Sequence, residues 1–191
     1  MALTLISTPL DITASDSAVT TVTVTSGIDS TYLAYEFHFV NIHPSNWGSI
    51  LAFQVEQASG SSYAQTIHSS TWLADHSEAD DYAELLYRTN RDQQNGTDYQ
   101  QIGEYIVNSS NDNDGSGSGI LTLHEPSSGT FVKHWIATFN SLANNSCSTS
   151  YHAGYINTQT AITKIRFSMV DNGRSPQGDF QAGTIKMFGV L

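Results

Sequence analysis

Apolar and polar residues alternate along much of this chain with a period of two. Leu33, Tyr35, Phe37 and Phe39 fall on one side of a segment whose other side carries Ala34, Glu36, His38 and Val40. Ile165, Phe167 and Met169 alternate in the same way with Lys164, Arg166 and Ser168. Successive side chains of a pleated strand point to opposite faces, so each such segment buries one face and wets the other. The pattern predicts an all-β protein: an antiparallel two-sheet sandwich, jelly-roll-like, of about ten strands with at most one short helix.

A first β region covers Ala2–Thr25, where Val22 and Val24 alternate with Thr21, Thr23 and Thr25. A turn at Ser26–Ser30 leads into a strand over Leu33–Ile42, which His43-Pro44-Ser45-Asn46-Trp47-Gly48 ends because proline removes a ladder donor. Further strands are expected over Ile50–Gln57, Tyr63–Leu73, Gln100–Val107, Ile120–His124, Phe131–Phe139, Ser150–Ile156, Ile162–Met169 and Gly183–Val190. In Ile50–Gln57, the residues Leu51, Phe53 and Val55 share a side. Asn108–Gly119, rich in Asn, Asp, Gly and Ser, reads as a surface loop. His76–Arg88 admits two readings. Ser77 with Asp80 is a candidate capping box, and Ala79, Tyr82, Ala83 and Leu86 stand at helical spacing, which favours a short helical or irregular crossing. Against this, Glu84–Thr89 reads as a strand leading to a hairpin at Asn95-Gly96.

Phe131–Phe139 departs from simple alternation. Phe131, Trp135, Ala137 and Phe139 share one face, while Val132 and Ile136 flank His134 on the other. A strand apolar on both faces lies beneath something, which makes Val132, His134 and Ile136 a candidate subunit contact; cover by a loop of the same chain is the equal alternative.

A length of 191 residues suits one domain, 1–191. Charged residues are 13% of the chain against about 25% in ordinary soluble domains, so the exterior must be clad in Ser, Thr, Asn and Gln. A net charge of −11 with only seven Lys and Arg offers no basic patch for phosphates, which excludes nucleic acid as a partner. The single cysteine, Cys147, excludes an intrachain disulfide; in a polar turn with no basic neighbour it reads as a spectator thiol. No charged and apolar leader opens the sequence and no apolar run approaches a membrane span, so the chain is expected to be made in the cytoplasm, with no membrane partner.

Candidate chemistry is sparse. Asp112-Asn113-Asp114-Gly115-Ser116 offers oxygens at alternate positions as calcium loops do, but Leu123 stands where such a loop needs its closing acid. Glu78, Asp80, Asp81 and Glu84 read as a solvated segment. The histidines His38, His43, His68, His76, His124, His134 and His152 form no ligand spacing, and His38, His68 and His134 read as strand residues with a hydrogen bond to satisfy. The Ser/Gly run Gly115–Gly119 lacks the strand-to-helix turn that exposes a nucleophile. No catalytic residue, metal or cofactor is expected. Trp47, Trp72, Tyr63 and Tyr99 fall at or near predicted loops; such rings usually pack at strand ends, but Trp47 and Trp72 are candidates for stacking on a sugar.

Three stretches carry a resemblance. One is Ser26-Gly27-Ile28-Asp29 leading into Tyr35-Glu36-Phe37-His38-Phe39-Val40-Asn41-Ile42-His43-Pro44. The second is Phe131-Val132-Lys133-His134-Trp135-Ile136-Ala137. The third is Ile162-Thr163-Lys164-Ile165-Arg166-Phe167, closing with Ala182-Gly183-Thr184-Ile185-Lys186-Met187-Phe188-Gly189-Val190. With them the chain resembles a group of β-rich virion proteins of tailed bacteriophages, especially marine and cyanobacterial ones, in which a small sandwich ends with a Gly-Thr-Ile-Lys-aromatic-Gly strand. The resemblance implies a non-enzymatic structural protein on the virion exterior, a capsid decoration or knob-like subunit, otherwise a tail fibre or tip component. It implies symmetric association with copies of itself and with other virion proteins, the major capsid protein first among them. The alternative is a carbohydrate-binding, lectin-like module that contacts host surface glycans. A glycan-cleaving enzyme rests on scattered carboxylates alone.

Overall fold

The computed structural model describes residues 2–107, 114–143 and 145–191. These residues form strands and no helix. In chain order the strands are β1 (Leu3–Ile12), β2 (Thr21–Val24), β3 (Ala34–Pro44), β4 (Ile50–Gln57), β5 (Ile67–Ser77), β6 (Ala83–Tyr87) and β7 (Gln94–Gly96). There follow β8 (Gln100–Gln101), β9 (Gly117–His124), β10 (Lys133–Leu142), β11 (Ser146–Ile156), β12 (Ile162–Val170) and β13 (Phe180–Val190). The count of thirteen exceeds the expected ten because the first β region splits into two strands and because β6 and β7 are short additions.

Two antiparallel sheets stack as a sandwich. The larger has the order β1-β13-β3-β9-β10-β11-β5-β6, with β7 alongside β5, and the smaller has β2-β12-β4-β8. Four pairs nest along the chain: β1 with β13, β2 with β12, β3 with β9 and β4 with β8, falling alternately in the larger and smaller sheet. Two insertions, β5–β7 between β4 and β8 and β10–β11 between β9 and β12, extend the larger sheet beyond β9.

The period of two sets the core. Tyr35, Phe37 and Phe39 of β3, Leu121 and Leu123 of β9, and Ile185 and Met187 of β13 are buried with Leu51, Phe53 and Val55 of β4 and Ile165, Phe167 and Met169 of β12. Each such side chain contributes about 1.5–3 kcal/mol by leaving water. The rings of Phe37 and Phe39 both meet Phe167 edge-on, at 5.2 and 5.3 Å, which joins the two sheets with directed aromatic contacts. β4 is buried on both faces: Ile50 and Ala52 point away from this core and pack with Val170 beneath Tyr99 and Tyr105.

Several expectations are corrected. Leu33 lies outside β3 and is exposed, because the strand begins only at Ala34. His76–Arg88 is a hairpin arm and not a helix. The Ser77 hydroxyl accepts from the Asp81 N–H at 3.1 Å, Asp80 takes a φ of 56°, and the chain folds back so that β6 pairs with the edge of β5. The capping residue holds a turn, and the edge of β5 supplies hydrogen bonds that outweigh helical spacing. Asn95-Gly96 forms no hairpin turn but lies within β7, with Asn95 at φ 58°. Of Gln100–Val107 only β8 is a strand; the remainder follows β4 irregularly, with the Ile102 N–H donating to the Leu51 carbonyl and the Ile106 N–H to that of Ser49. Cys147 is exposed on β11, opposite Leu142 of β10, and is not in a turn.

The expected surface loop Asn108–Gly119 lies partly outside the described residues, but its Gly117–Gly119 end is β9, paired on both sides by β3 and β10. The Phe139 ring crosses this strand. A Cβ at Gly117 would stand 2.5 Å from Phe139 Cζ, and one at Gly119 would collide with the Thr138 carbonyl oxygen and stand 2.7 Å from the Phe139 ring. A composition that suggests flexibility here makes room for a core aromatic.

Candidate functional site

The outward face of the larger sheet carries one group of predicted residues. Across β5 and β11, Trp72 stacks on Tyr151 with centroids 5.4 Å apart, and His68 stacks on Tyr155 at 5.5 Å. His134 of β10 meets the same Tyr155 edge-on at 6.2 Å. Ile136 is 54% exposed and His134 is exposed, so no loop of the described chain covers this strand, as one of the two sequence readings had it. Val132 and His134 line a groove of about 810 Å³ at the end of the sheet, together with Leu33, Phe131, Val190 and Leu191. Ile136 lies beyond the groove, next along β10. Phe131, expected on the buried face with Trp135, is 65% exposed: β10 begins at Lys133, and Phe131 belongs to a turn in which its N–H donates to the Ser128 hydroxyl. Lys133 occupies the inward position instead. Its ammonium donates to the carbonyls of Phe131 and Thr158, at 2.7 and 3.2 Å, and burial pulls its pKa below the ordinary lysine value.

A second constellation lies between the extended part of the larger sheet and the segment 88–107. Here the inward positions of β5 and β11 are polar (Thr71, Ser148, Ser150 and His152), and all four are buried. Buried polar groups are costly unless partnered: Ser148 donates to Asp75 and Ser150 to the Phe139 carbonyl, while His152 Nε2 has no partner among the described residues. Beside them lies a charged cluster. Glu104 accepts two bidentate contacts, from Arg88 (Nε 3.0 Å, Nη2 2.9 Å) and from Arg91 (Nε 3.1 Å, Nη2 2.8 Å). Arg91 is fully buried, also donates to Asn172 Oδ1, and lies over the Tyr105 ring at 4.9 Å. His152 Nδ1 lies 2.9 Å from Thr71 Oγ1. Burial first, and then the positive charge of Arg91, push its pKa down to about 3. The imidazole is therefore neutral at ordinary pH and far from the value near 7 that a general base requires.

At the open end of this polar layer Trp47 stacks on Tyr105, centroids 6.1 Å apart and planes 13° from parallel. Trp47 lines a small cleft of about 170 Å³ that also holds Asp75, Tyr82, Glu84, Arg88 and Glu104. The two tryptophans named by the sequence are thus in separate places, Trp72 on a flat sheet face and Trp47 in a cleft. Tyr63 and Tyr99 instead sandwich the Arg166 guanidinium, at 4.5 and 5.0 Å. Glu78, Asp80 and Asp81 are exposed in the β5–β6 turn, where Asp80 meets His76 at 3.1 Å; only Glu84 reaches the cleft. Asp112 and Asn113 lie outside the described residues, and no group of three His, Cys, Asp or Glu among the described residues is placed to hold a metal ion.

Sequence reasoning passed over Arg88, Arg91 and Glu104. A signal existed: in a chain with seven basic residues, two stand three apart in one segment. No family model matches this chain, and neither a curated protein nor a solved structure shows significant similarity to it. No helix among the described residues is long and apolar enough to cross a membrane.

Proposed function

We propose that this chain is a non-enzymatic structural subunit of a tailed-phage virion, an exterior capsid decoration or knob-like protein that works as a symmetric oligomer. The observation that carries the reading is the uncovered outward face of the larger sheet, where Ile120, Ile136, Trp72 and Tyr87 stand exposed next to a groove rimmed by Leu33 and Phe131. Apolar side chains gathered on one face, in a chain otherwise clad in hydroxyls and amides, fit a subunit that packs against neighbours. The nested pairing of β1 with β13, β2 with β12, β3 with β9 and β4 with β8 supports a jelly-roll topology, which suits tight packing of repeated units. The particle itself rests on the resemblance of the three quoted stretches to phage virion proteins, and the partners proposed are copies of the chain and the major capsid protein. A tail fibre or tip location is the second placement within the same reading.

Quantitative mass spectrometry and cryo-electron microscopy of purified particles test it. Many copies per particle, located outside the shell or on the tail, are expected. Particles that lack the chain end the proposal, and a strictly monomeric chain by light scattering at high concentration ends its oligomeric part.

A further inference from the structure

The loop that carries Trp47 is held on several sides. The Ser49 hydroxyl lies 2.8 Å from the Asn46 carbonyl and 3.0 Å from that of Gln177, and Gln177 Nε2 donates to the Trp47 carbonyl at 3.0 Å. The Asp179 N–H donates to the Ser45 hydroxyl at 2.8 Å, and Gly48, at φ 75°, allows the sharp bend that follows the tryptophan. One face of the indole rests on Tyr105 while the residue is 48% exposed, so its open side is the opposite face. The ring is a fixed platform.

Beside it the polar groups are only partly committed. Asp75 accepts from the Ser148 hydroxyl at 2.9 Å through one oxygen, which leaves the other without a partner among the described residues. Arg88 spends Nε and Nη2 on Glu104 and keeps Nη1 for a further acceptor. Glu84 reaches the same cleft. The space of about 170 Å³ is below the roughly 300 Å³ at which drug-sized sites begin, and so suits one ring-sized unit.

We infer that this cleft binds a single pyranose unit of a carbohydrate, with its C–H face on Trp47 and vicinal hydroxyls shared between Asp75, Glu84 and Arg88. Sugar hydroxyls donate and accept at once, which matches two carboxylates and a guanidinium within one small space. An aromatic surface with carboxylates also attracts organic cations. Here the guanidiniums of Arg88 and Arg91 offset two of the three carboxylates Glu104, Asp75 and Glu84, and a cation probe is therefore the control that separates the two ligand classes. The site stands independently of the proposed virion role: a variant that no longer binds sugar is expected to assemble normally.

The test uses the purified full chain and saturation-transfer NMR with methyl pyranosides of glucose, galactose, mannose, fucose and N-acetylglucosamine, with tetramethylammonium as the cation probe. Transfer to the ring C–H protons of at least one glycoside is expected at millimolar concentration. Trp47→Ala and Asp75→Asn should each weaken that binding roughly tenfold, with Trp72→Ala unchanged. Should Trp47→Ala fail to fold by thermal melting, Trp47→Phe takes its place and is expected to bind several-fold more weakly. No transfer to any glycoside, equal losses for Trp47 and Trp72 variants, or binding of tetramethylammonium alone would each overturn the inference.

Discussion

Trp72 and Tyr151 stand directly opposite each other in the β5–β11 ladder, and their rings lie 11° from parallel with centroids 5.4 Å apart. The pair is on the outward face, where Trp72 is 43% exposed, so it steadies the extended part of the sheet without belonging to the core. A cross-strand aromatic pair contributes about 0.2–1 kcal/mol. Trp72→Ala is therefore expected to lower the melting temperature by about 2–4 °C at most. In a double-mutant cycle with Tyr151→Ala the second substitution should cost less than it does alone; strict additivity would show that the rings do not support one another.

The glycines of β9 make a sharper case. Gly117→Ala places its methyl against the edge of the Phe139 ring, whereas Gly119→Ala also meets the backbone carbonyl of Thr138. Overpacking of this kind costs about 1–3 kcal/mol. Trimming the ring with Phe139→Leu should recover part of the loss for Gly117→Ala and little of it for Gly119→Ala, measured by urea denaturation. Equal recovery at both sites contradicts the geometry.

Glu104 sits between two guanidiniums, and Arg91 behind it is fully buried. Removing the carboxylate leaves a buried cation uncompensated, so Glu104→Ala should destabilise by about 3–5 kcal/mol. Arg88→Ala should cost clearly less, since its side chain is 26% exposed and Arg91 continues to neutralise Glu104. Chemical denaturation of the two variants reads the difference, and an Arg88 variant as unstable as Glu104→Ala refutes it.

His152 makes stability depend on pH. Its folded pKa of about 3 lies below the ordinary 6.5, so between these values the unfolded chain binds a proton that the folded chain does not. Stability is unaffected by this group above pH 6.5 and falls by about 1.4 kcal/mol per pH unit below it, a loss of about 2 kcal/mol at pH 5. His152→Gln should flatten this part of the profile. An unchanged acid limb in the variant would show that the imidazole is not the group responsible.

The outward face is open to a direct test at Ile136, which is half exposed. Ile136→Lys should leave the melting temperature of the subunit within about 1 °C, surface substitutions being worth no more than about 0.5 kcal/mol. It should also shift the proposed oligomer towards monomer in sedimentation velocity. A variant that keeps the parent's oligomeric state removes β10 from the contact.

Alternation along the chain determined the class of fold and most of the core. Tyr35, Phe37, Phe39, Leu51, Phe53, Val55, Ile165, Phe167 and Met169 are all buried, because the pleat translates a period of two into one face without reference to any neighbour. Tertiary structure decided which edges meet. Nothing local states that Leu3 lies opposite Val190, or that the edge of β5 recruits Ala83–Tyr87 as a strand where helical spacing competes. The glycines of β9 acquire their meaning only when Phe139 lies across them. The polar inward face of β5 and β11 is satisfied by partners far along the chain: Ser69 reaches Gln100 Oε1, Thr71 meets His152 and Ser148 reaches Asp75. Local pattern says which side of a strand avoids water; pairing and charge satisfaction depend on residues far apart in sequence, and they exist only once the chain has closed on itself.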